Sequence, residues 1–293
     1  MSERLRLQIE GMRWTVRVSG HGQPVLLLHG FSGSGLSWAG IGPFGGDFRV
    51  IVPDLPGHGG TGWQSGDDAR PAASRAGART APTEARPRAS VERTADDLAA
   101  ISGRLGARPV HVVGYSLGAR IALRLAIAHP GIVGRLVLEA PSAGIADPAA
   151  RAERAALDAE RARFVVTEGI EAFAARWEAE PILAGEAALP PGARDRQRAI
   201  RRANPALGLA ASLVYAGQGT MEPLGGRLGE VRAPTLVIVG ADDPGRPRAE
   251  AVAAGIPGAR LALVAGAGHA PHLEAPATFR SLVHDFLTEA SPS

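Results

Sequence analysis

Two patterns of apolar spacing divide the chain. From Leu5 to Ile9 and from Met12 to Val18, apolar and polar residues alternate, with Glu10-Gly11 between the runs. Period-two alternation broken by a glycine turn predicts an antiparallel hairpin with one face toward water. Elsewhere the apolar runs are short and nearly continuous: Val25 to Leu28, Phe48 to Pro53, from Val110, Gly134 to Glu139, Thr235 to Gly240 and Arg260 to Val264. Runs of that kind fit strands buried on both faces. Between them, Val91 to Leu105 has helical spacing through Val91, Ala95, Leu98 and Ile101, with Ser90 placed to cap it. Leu117 to Ala128 reads as an apolar helix stopped by His129-Pro130. Pro276 to Leu287 reads as a closing helix, and a short one is expected around Ser37 to Ile41. Strands alternating with helices predict an α/β architecture, a mostly parallel central sheet flanked by helices.

Two stretches break this rhythm. Gly66 to Ala89 is built from Ala, Arg, Pro, Ser, Gly and Thr without apolar periodicity, and is expected to be a disordered loop within the core. From Ile145 to about Glu230, alanine, arginine and glutamate dominate with helical periodicity and no strong strand. The expected division is a core of residues 1–144 and 231–293, with residues 145–230 as a helical cap over the strand tips. In open α/β sheets, ligands bind in the crevice at those tips.

Composition removes several classes of function. The chain of 293 residues has no cysteine, which excludes disulfides, thiol nucleophiles and cysteine-ligated metal. Its net charge is +3. The pI near 10.3 follows from the absence of lysine, since almost nothing titrates between histidine and arginine. No basic-aromatic module accompanies that charge, so no nucleic-acid partner is expected. Polar residues follow Met1, and no apolar run is long enough to span a bilayer. A soluble cytoplasmic protein is expected, and nothing in the chain specifies an oligomeric state.

The chemistry starts at Gly114-Tyr-Ser-Leu-Gly118, the Gly-x-Ser-x-Gly pattern of a nucleophile elbow. A strained turn of this kind lifts Ser116 clear of the strand tips and puts it at a helix N-terminus. In a chain with 38 glycines the pattern carries little by itself. Two stretches further along the chain give it weight. Gly240-Ala-Asp-Asp243 ends one buried strand and Gly266-Ala-Gly-His269 comes after the next. Ser, acid, His is the chain order of an α/β-hydrolase triad, with each member at a strand tip. Asp243 is the expected acid, with Asp242 and Glu139 as the other possibilities, and His269 is the expected base. Backbone amides of Phe31 and Leu117 are expected to form the oxyanion hole. His29, His58, His129 and His272 read as structural or surface residues. His269 and His272 lack a third partner at zinc spacing, so no metal is expected. Arg120 lies one helical turn beyond Ser116, under the expected cap, where a buried guanidinium calls for a carboxylate. These residues together predict an α/β-hydrolase fold with a helical cap inserted before the acid-bearing strand.

From about Val25 to Leu287 the chain also resembles the 2-succinyl-6-hydroxy-2,4-cyclohexadiene-1-carboxylate synthases, lyases of menaquinone biosynthesis on this fold. The resemblance runs through Leu28-His-Gly-Phe-Ser-Gly-Ser-Gly35, Asp54-Leu-Pro-Gly-His-Gly59, Gly114-Tyr-Ser-Leu-Gly-Ala-Arg120, Leu138-Glu-Ala-Pro-Ser-Ala-Gly144, Gly208-Leu-Ala-Ala-Ser-Leu213 and Gly268-His-Ala-Pro-His-Leu-Glu274. It implies a small-molecule polycarboxylate substrate, a cyclohexene carrying a carboxylate, a succinyl chain and an enolpyruvyl ether, and no cofactor. It implies substrate-binding roles for Tyr115, Arg120, Arg154 and Trp177. One further arginine before Asn204 is implied, Arg201 or Arg202 equally, and Arg198 less. After the acid the family often has an Asp-Glu-Lys-Phe-like run where this chain has Asp243-Pro-Gly-Arg246, so the packing of that loop is open. The alternative on the same triad is a carboxylesterase, a lactonase or a C–C bond hydrolase.

Overall fold

The computed structural model describes residues 3–40, 47–63 and 88–290. Apart from Arg88 and Ala89, the expected loop 66–89 lies outside them. The hairpin forms as expected from β1 (Glu3–Ile9) and β2 (Met12–Ser19), paired antiparallel around Glu10-Gly11. The continuous apolar runs become β3 (Gln23–Leu28), β4 (Phe48–Pro53), β6 (Val110–Tyr115), β7 (Val133–Glu139), β8 (Thr235–Gly240) and β9 (Arg260–Val264). A two-residue strand, β5 (Gly62–Trp63), pairs with β2. The order across the sheet is β1-β2-β4-β3-β6-β7-β8-β9. All pairings from β4 to β9 are parallel.

Both sheet faces are covered, which explains the unbroken apolar runs. On β3, Leu26 and Leu28 join one core with α1 (Val91–Arg104) and α2 (Leu117–Ala128). Val25 and Leu27 point the other way, into a second core with Trp38, Phe279, Val283 and Phe286. Phe279, Val283 and Phe286 belong to α8 (Pro276–Thr288). Each of these fully buried side chains contributes about 1.5–3 kcal/mol. The helix α2 is sunk so deeply that only Arg124 and Ala128 fall outside its buried set. Ser90 caps α1 as expected, accepting from the Arg93 amide at 3.2 Å. The helix expected at Ser37 to Ile41 is instead a 3-10 segment, Gly35–Gly40, and Ile41 lies outside the described residues. Its start is set by the Asp54 carboxylate, which accepts from the Gly35 amide at 2.8 Å.

Residues 145–230 hold α3 (Pro148–Glu178), a 3-10 segment (Pro181–Ala188), α4 (Pro191–Arg202) and α5 (Ala206–Ala216). Asp147 caps α3, and Gly169, at φ 82° and ψ 174°, breaks it into two helices. These elements share a small core of Val165, Phe173, Leu209 and Leu213, against which Phe31 and Trp177 pack. The seam with the sheet is backbone against backbone: a Cβ on Gly57 would overlap the Gly208 carbonyl, and one on Gly208 the Gly57 carbonyl. After β8, α6 (Arg246–Gly255) and the single turn α7 (Pro271–Glu274) flank the last strand.

Parallel register brings the functional loops to one edge. Leu28 pairs with Gly114, Tyr115 with Glu139, and Gly240 with Val264. The loops that follow β3, β6, β8 and β9 therefore meet at the same end of the sheet.

Candidate active site

Ser116 is held at φ 51° and ψ −104°, a region L-residues rarely occupy. The neighbouring glycines make that turn possible. A Cβ on Gly114 would overlap the Gly118 carbonyl, and one on Gly118 would overlap the Leu28 carbonyl. The strand-to-helix crossing is tight enough that two side chains must be missing. The Ser116 amide donates to the Glu139 carbonyl at 2.9 Å, tying the elbow to β7.

The serine hydroxyl donates to His269 Nε2 at 3.1 Å. On the other side of the ring, Nδ1–H donates to Asp243 Oδ2 at 2.9 Å. Asp243 Oδ1 accepts from the Gly245 amide at 2.7 Å. Burial raises the Asp243 carboxyl pKa, but the His269 hydrogen bond and charge, the Gly245 amide and nearby Arg248 hold it below the usual carboxylate range. Asp242 is exposed. Glu139 is fully buried and accepts from both the His272 amide (2.8 Å) and His272 Nδ1–H (2.9 Å). Of the three candidate acids, Asp243 is the one against His269.

Glu274 holds the His269 loop from behind. Its carboxylate accepts from the Gly268 amide at 2.6 Å and from the Ala270 amide at 2.9 Å, one on each side of His269. No sequence reading gave Glu274 a role, although it ends the Gly268–Glu274 match.

The loop after β3 is fastened by two buried imidazoles. His29 Nδ1–H donates to the Gly30 carbonyl (2.8 Å) and its Nε2 accepts from the Leu55 amide (2.9 Å). His58 Nδ1–H donates to the Pro56 carbonyl (3.0 Å) and its Nε2 accepts from the Ser32 amide (3.2 Å). Burial lowers their pKa values to about 4 and about 3, so both stay neutral. Asn204, just after α4, bridges the same loops, donating to the Ser32 carbonyl and accepting from the Gly59 amide, both at 2.8 Å. His129, by contrast, sits on the surface beside Asp96.

Above Ser116 opens a cavity of about 720 Å³, its mouth included, walled by Phe31, Tyr115, Leu117, Arg120, Trp177 and His269. The Tyr115 ring packs on His272 at 4.5 Å and on His269 at 5.5 Å. Burial, then Glu139, Glu186, Asp243 and Glu274, push its phenol well above the usual range, so it remains a neutral donor. Trp177 stacks on Phe173 and meets Phe31 edge-on at 5.0 Å.

Arg120 is 7% exposed. It donates to the Ala216 carbonyl at 2.7 Å and approaches Met221 Sδ at 3.6 Å. Among the described residues no carboxylate lies within 4.0 Å of it. Burial, with repulsion from Arg154, lowers its pKa to about 10 against the pull of Asp158, so it stays a cation at neutral pH.

Residues 23–276 match the model of the alpha/beta hydrolase fold family. A Pectobacterium atrosepticum protein named 2-succinyl-6-hydroxy-2,4-cyclohexadiene-1-carboxylate synthase is 31% identical over 91% of this chain and 94% of its own. A Bacillus subtilis protein that carries the same name provisionally is 34% identical over 95% of this chain and 96% of its own. The chain belongs to the 2-succinyl-6-hydroxy-2,4-cyclohexadiene-1-carboxylate synthase family. Among solved structures, MenH from S. aureus superposes with a TM-score of 0.80 at 26% identity, over 95% of this chain and 98% of that one.

The synthase-family arginines from the helical layer are distributed unequally. Arg154 lines the cavity, but its Nε donates to both Asp158 oxygens at 3.0 Å. Arg201 is buried beneath the loop after β3. It pairs with Glu178 and Glu186 and donates to Ser32 Oγ at 3.4 Å. It faces a smaller recess with Gly30, Phe31 and Tyr115. Arg202 turns outward to Glu171 and Glu178, and Arg198 to Glu178. Of the two arginines the sequence left equal, Arg201 comes to the recess and Arg202 does not. The helical phase of α4 decides this, because its buried stripe runs through Gln197, Ile200 and Arg201. Two further charged residues of the cavity, Asp158 and Arg248, were not expected. Asp158 could have been read from its i,i+4 spacing to Arg154.

Proposed function

We propose that the chain is a lyase of menaquinone biosynthesis. It eliminates pyruvate from 2-succinyl-5-enolpyruvyl-6-hydroxy-3-cyclohexene-1-carboxylate to give 2-succinyl-6-hydroxy-2,4-cyclohexadiene-1-carboxylate. Family membership over nearly the whole chain supports this reading. The structural observation that carries it is Arg120, a buried guanidinium beside the nucleophile elbow with no carboxylate within 4.0 Å among the described residues. A site for neutral esters has no use for such a charge, whereas a tricarboxylate substrate supplies its counter-ion.

In this reading Ser116 is the base. As Ser116 Oγ takes the ring proton next to the succinyl ketone, its own proton passes to His269 Nε2. Asp243 holds the imidazole in the matching tautomer and stabilises it once charged. The C–H electron pair forms the new ring double bond, the existing one shifts along the ring, and the bond to the ether oxygen breaks. Pyruvate departs as its enolate and takes the proton from His269. Water is not consumed. The Phe31 and Leu117 amides would receive the negative charge that develops on the ketone oxygen.

The test is a continuous assay of pyruvate release from the enolpyruvyl cyclohexene, run beside p-nitrophenyl acetate hydrolysis. Pyruvate release abolished by Ser116→Ala is the expected result. Ester turnover without pyruvate would instead favour the carboxylesterase or lactonase alternative.

A further inference from the structure

Next to Ser116 the main cavity continues into a side lobe of about 300 Å³, its opening included, walled by Ser116, Arg120, Ser142, Gln218, Arg248 and His269. Arg248 stands in the first turn of α6, five residues after the acid of the triad. Its guanidinium lies over the backbone of Gly245, where a Cβ would meet Nη2 at 3.1 Å. It lines both the lobe and the main cavity.

The charges around this lobe do not balance. Arg154 has Asp158, and Arg201 has Glu178 and Glu186. Among the described residues, neither Arg120 nor Arg248 has a carboxylate within 4.0 Å. Asp243, whose carboxylate feels Arg248, is committed to His269 and to the Gly245 amide. Two guanidinium groups thus flank one small lobe from opposite elements, α2 and α6, and no carboxylate among the described residues lines it.

We propose that Arg248 is a further substrate-binding residue that forms with Arg120 a subsite for one carboxylate arm in this lobe. A carboxylate there would be met from two sides by guanidinium groups. The inference rests on the lyase reading for the identity of the arm, but not for its chemistry. A short carboxylate is the class of ligand that the lobe takes.

The experiment compares wild type with Arg248→Gln, Arg248→Lys and the control Arg246→Gln. Arg246 is on the same helix but pairs with Glu250. Pyruvate-release kinetics are measured over a range of pH, and pyruvate and succinate binding by calorimetry, with dimethyl succinate as the uncharged control. Arg248→Gln is expected to raise KM about tenfold and change kcat less than threefold. The lysine variant should recover part of the loss, and Arg246→Gln should behave as wild type. Wild type should bind at least one of the acids, and Arg248→Gln should bind it about tenfold more weakly. Greater loss for pyruvate would give the lobe to the leaving arm, and greater loss for succinate to the succinyl arm.

Unchanged KM with unchanged acid binding overturns the proposal. So does an effect confined to kcat with a displaced pH profile, which would make Arg248 merely a charge beside Asp243. If wild type releases no pyruvate, the lyase reading fails on that count. Acid binding then decides alone: loss in Arg248→Gln sustains the subsite, and equal or absent binding in wild type removes it.

Discussion

Arg120 is a cation held by a peptide carbonyl and a thioether, an arrangement that does little for folding and leaves its charge for something else. Arg120→Ala should therefore lower kcat/KM for the lyase reaction by roughly a hundredfold, about 3 kcal/mol, the upper range for hydrogen bonds to a charged group. Its melting temperature should stay within a few degrees of wild type, because no buried carboxylate is orphaned. Steady-state kinetics beside a thermal melt checks both halves, and near-wild-type turnover would remove Arg120 from the site. Ser116, Asp243 and His269 were readable in the sequence because each ends a distinct apolar run and their order along the chain is restrictive. Arg248 was not readable. Followed by Glu250 on a helix with Arg246, it looks like any solvated arginine, and only the path of the chain turns it toward Ser116. Choosing between Arg201 and Arg202 likewise required the phase of α4.

Among the elements, the β6–α2 elbow and the loop carrying His269 are built by opposite means. The elbow works by omission. A methyl group on Gly114 has no room against the Gly118 carbonyl, so Gly114→Ala should cost more than about 3 kcal/mol and yield little folded protein, measured by denaturant unfolding. The His269 loop works by addition, since the Glu274 carboxylate pins the peptides on both sides of His269. Glu274→Gln keeps one acceptor but turns the other into a donor facing an amide. It should lower kcat roughly tenfold and leave KM within about twofold, because Glu274 positions the base without touching the cavity floor. A rise in KM alone would contradict that role. Strand periodicity gave every long strand within a residue or two. The helix α6 was not read, and the other misses were short: β5, α7, the 3-10 form of 35–40 and the break at Gly169. Each is set by a contact distant in sequence or by a single glycine torsion, which apolar spacing does not record.

For the molecule taken whole, the buried imidazoles link stability to pH. His29 and His58 are neutral in the fold, with pKa values lowered to about 4 and about 3, and His111 is lowered to about 4, each chiefly by burial. In the unfolded chain the same groups titrate near ~6.5, so between those values the unfolded state binds more protons. Stability is complete above about pH 6.5 and is lost as pH falls toward 4. Asp97 acts in the other direction, because burial raises its carboxyl to about 6 and the folded chain gains as pH falls through that value. Three groups against one leave a net loss. The melting temperature should drop by at least roughly 5 °C between pH 7.5 and pH 5. An unchanged or higher value at pH 5 would mean that the two loop histidines are charged in the fold.

The seam where Gly57 meets Gly208 sets a mechanical condition on everything above it. Two backbone segments in direct contact, with Asn204 stitched across them, resist sliding or parting. The α4–α5 end of the helical layer is therefore a fixed pivot. Any widening that admits a substrate must come from the far side, where Gly169 divides α3 and the 181–188 segment rests on Glu274 through Gly185. That far side also touches the peptides that aim His269. The 181–188 segment and the placing of His269 thus share one carboxylate, so a displacement of that segment is felt at the imidazole.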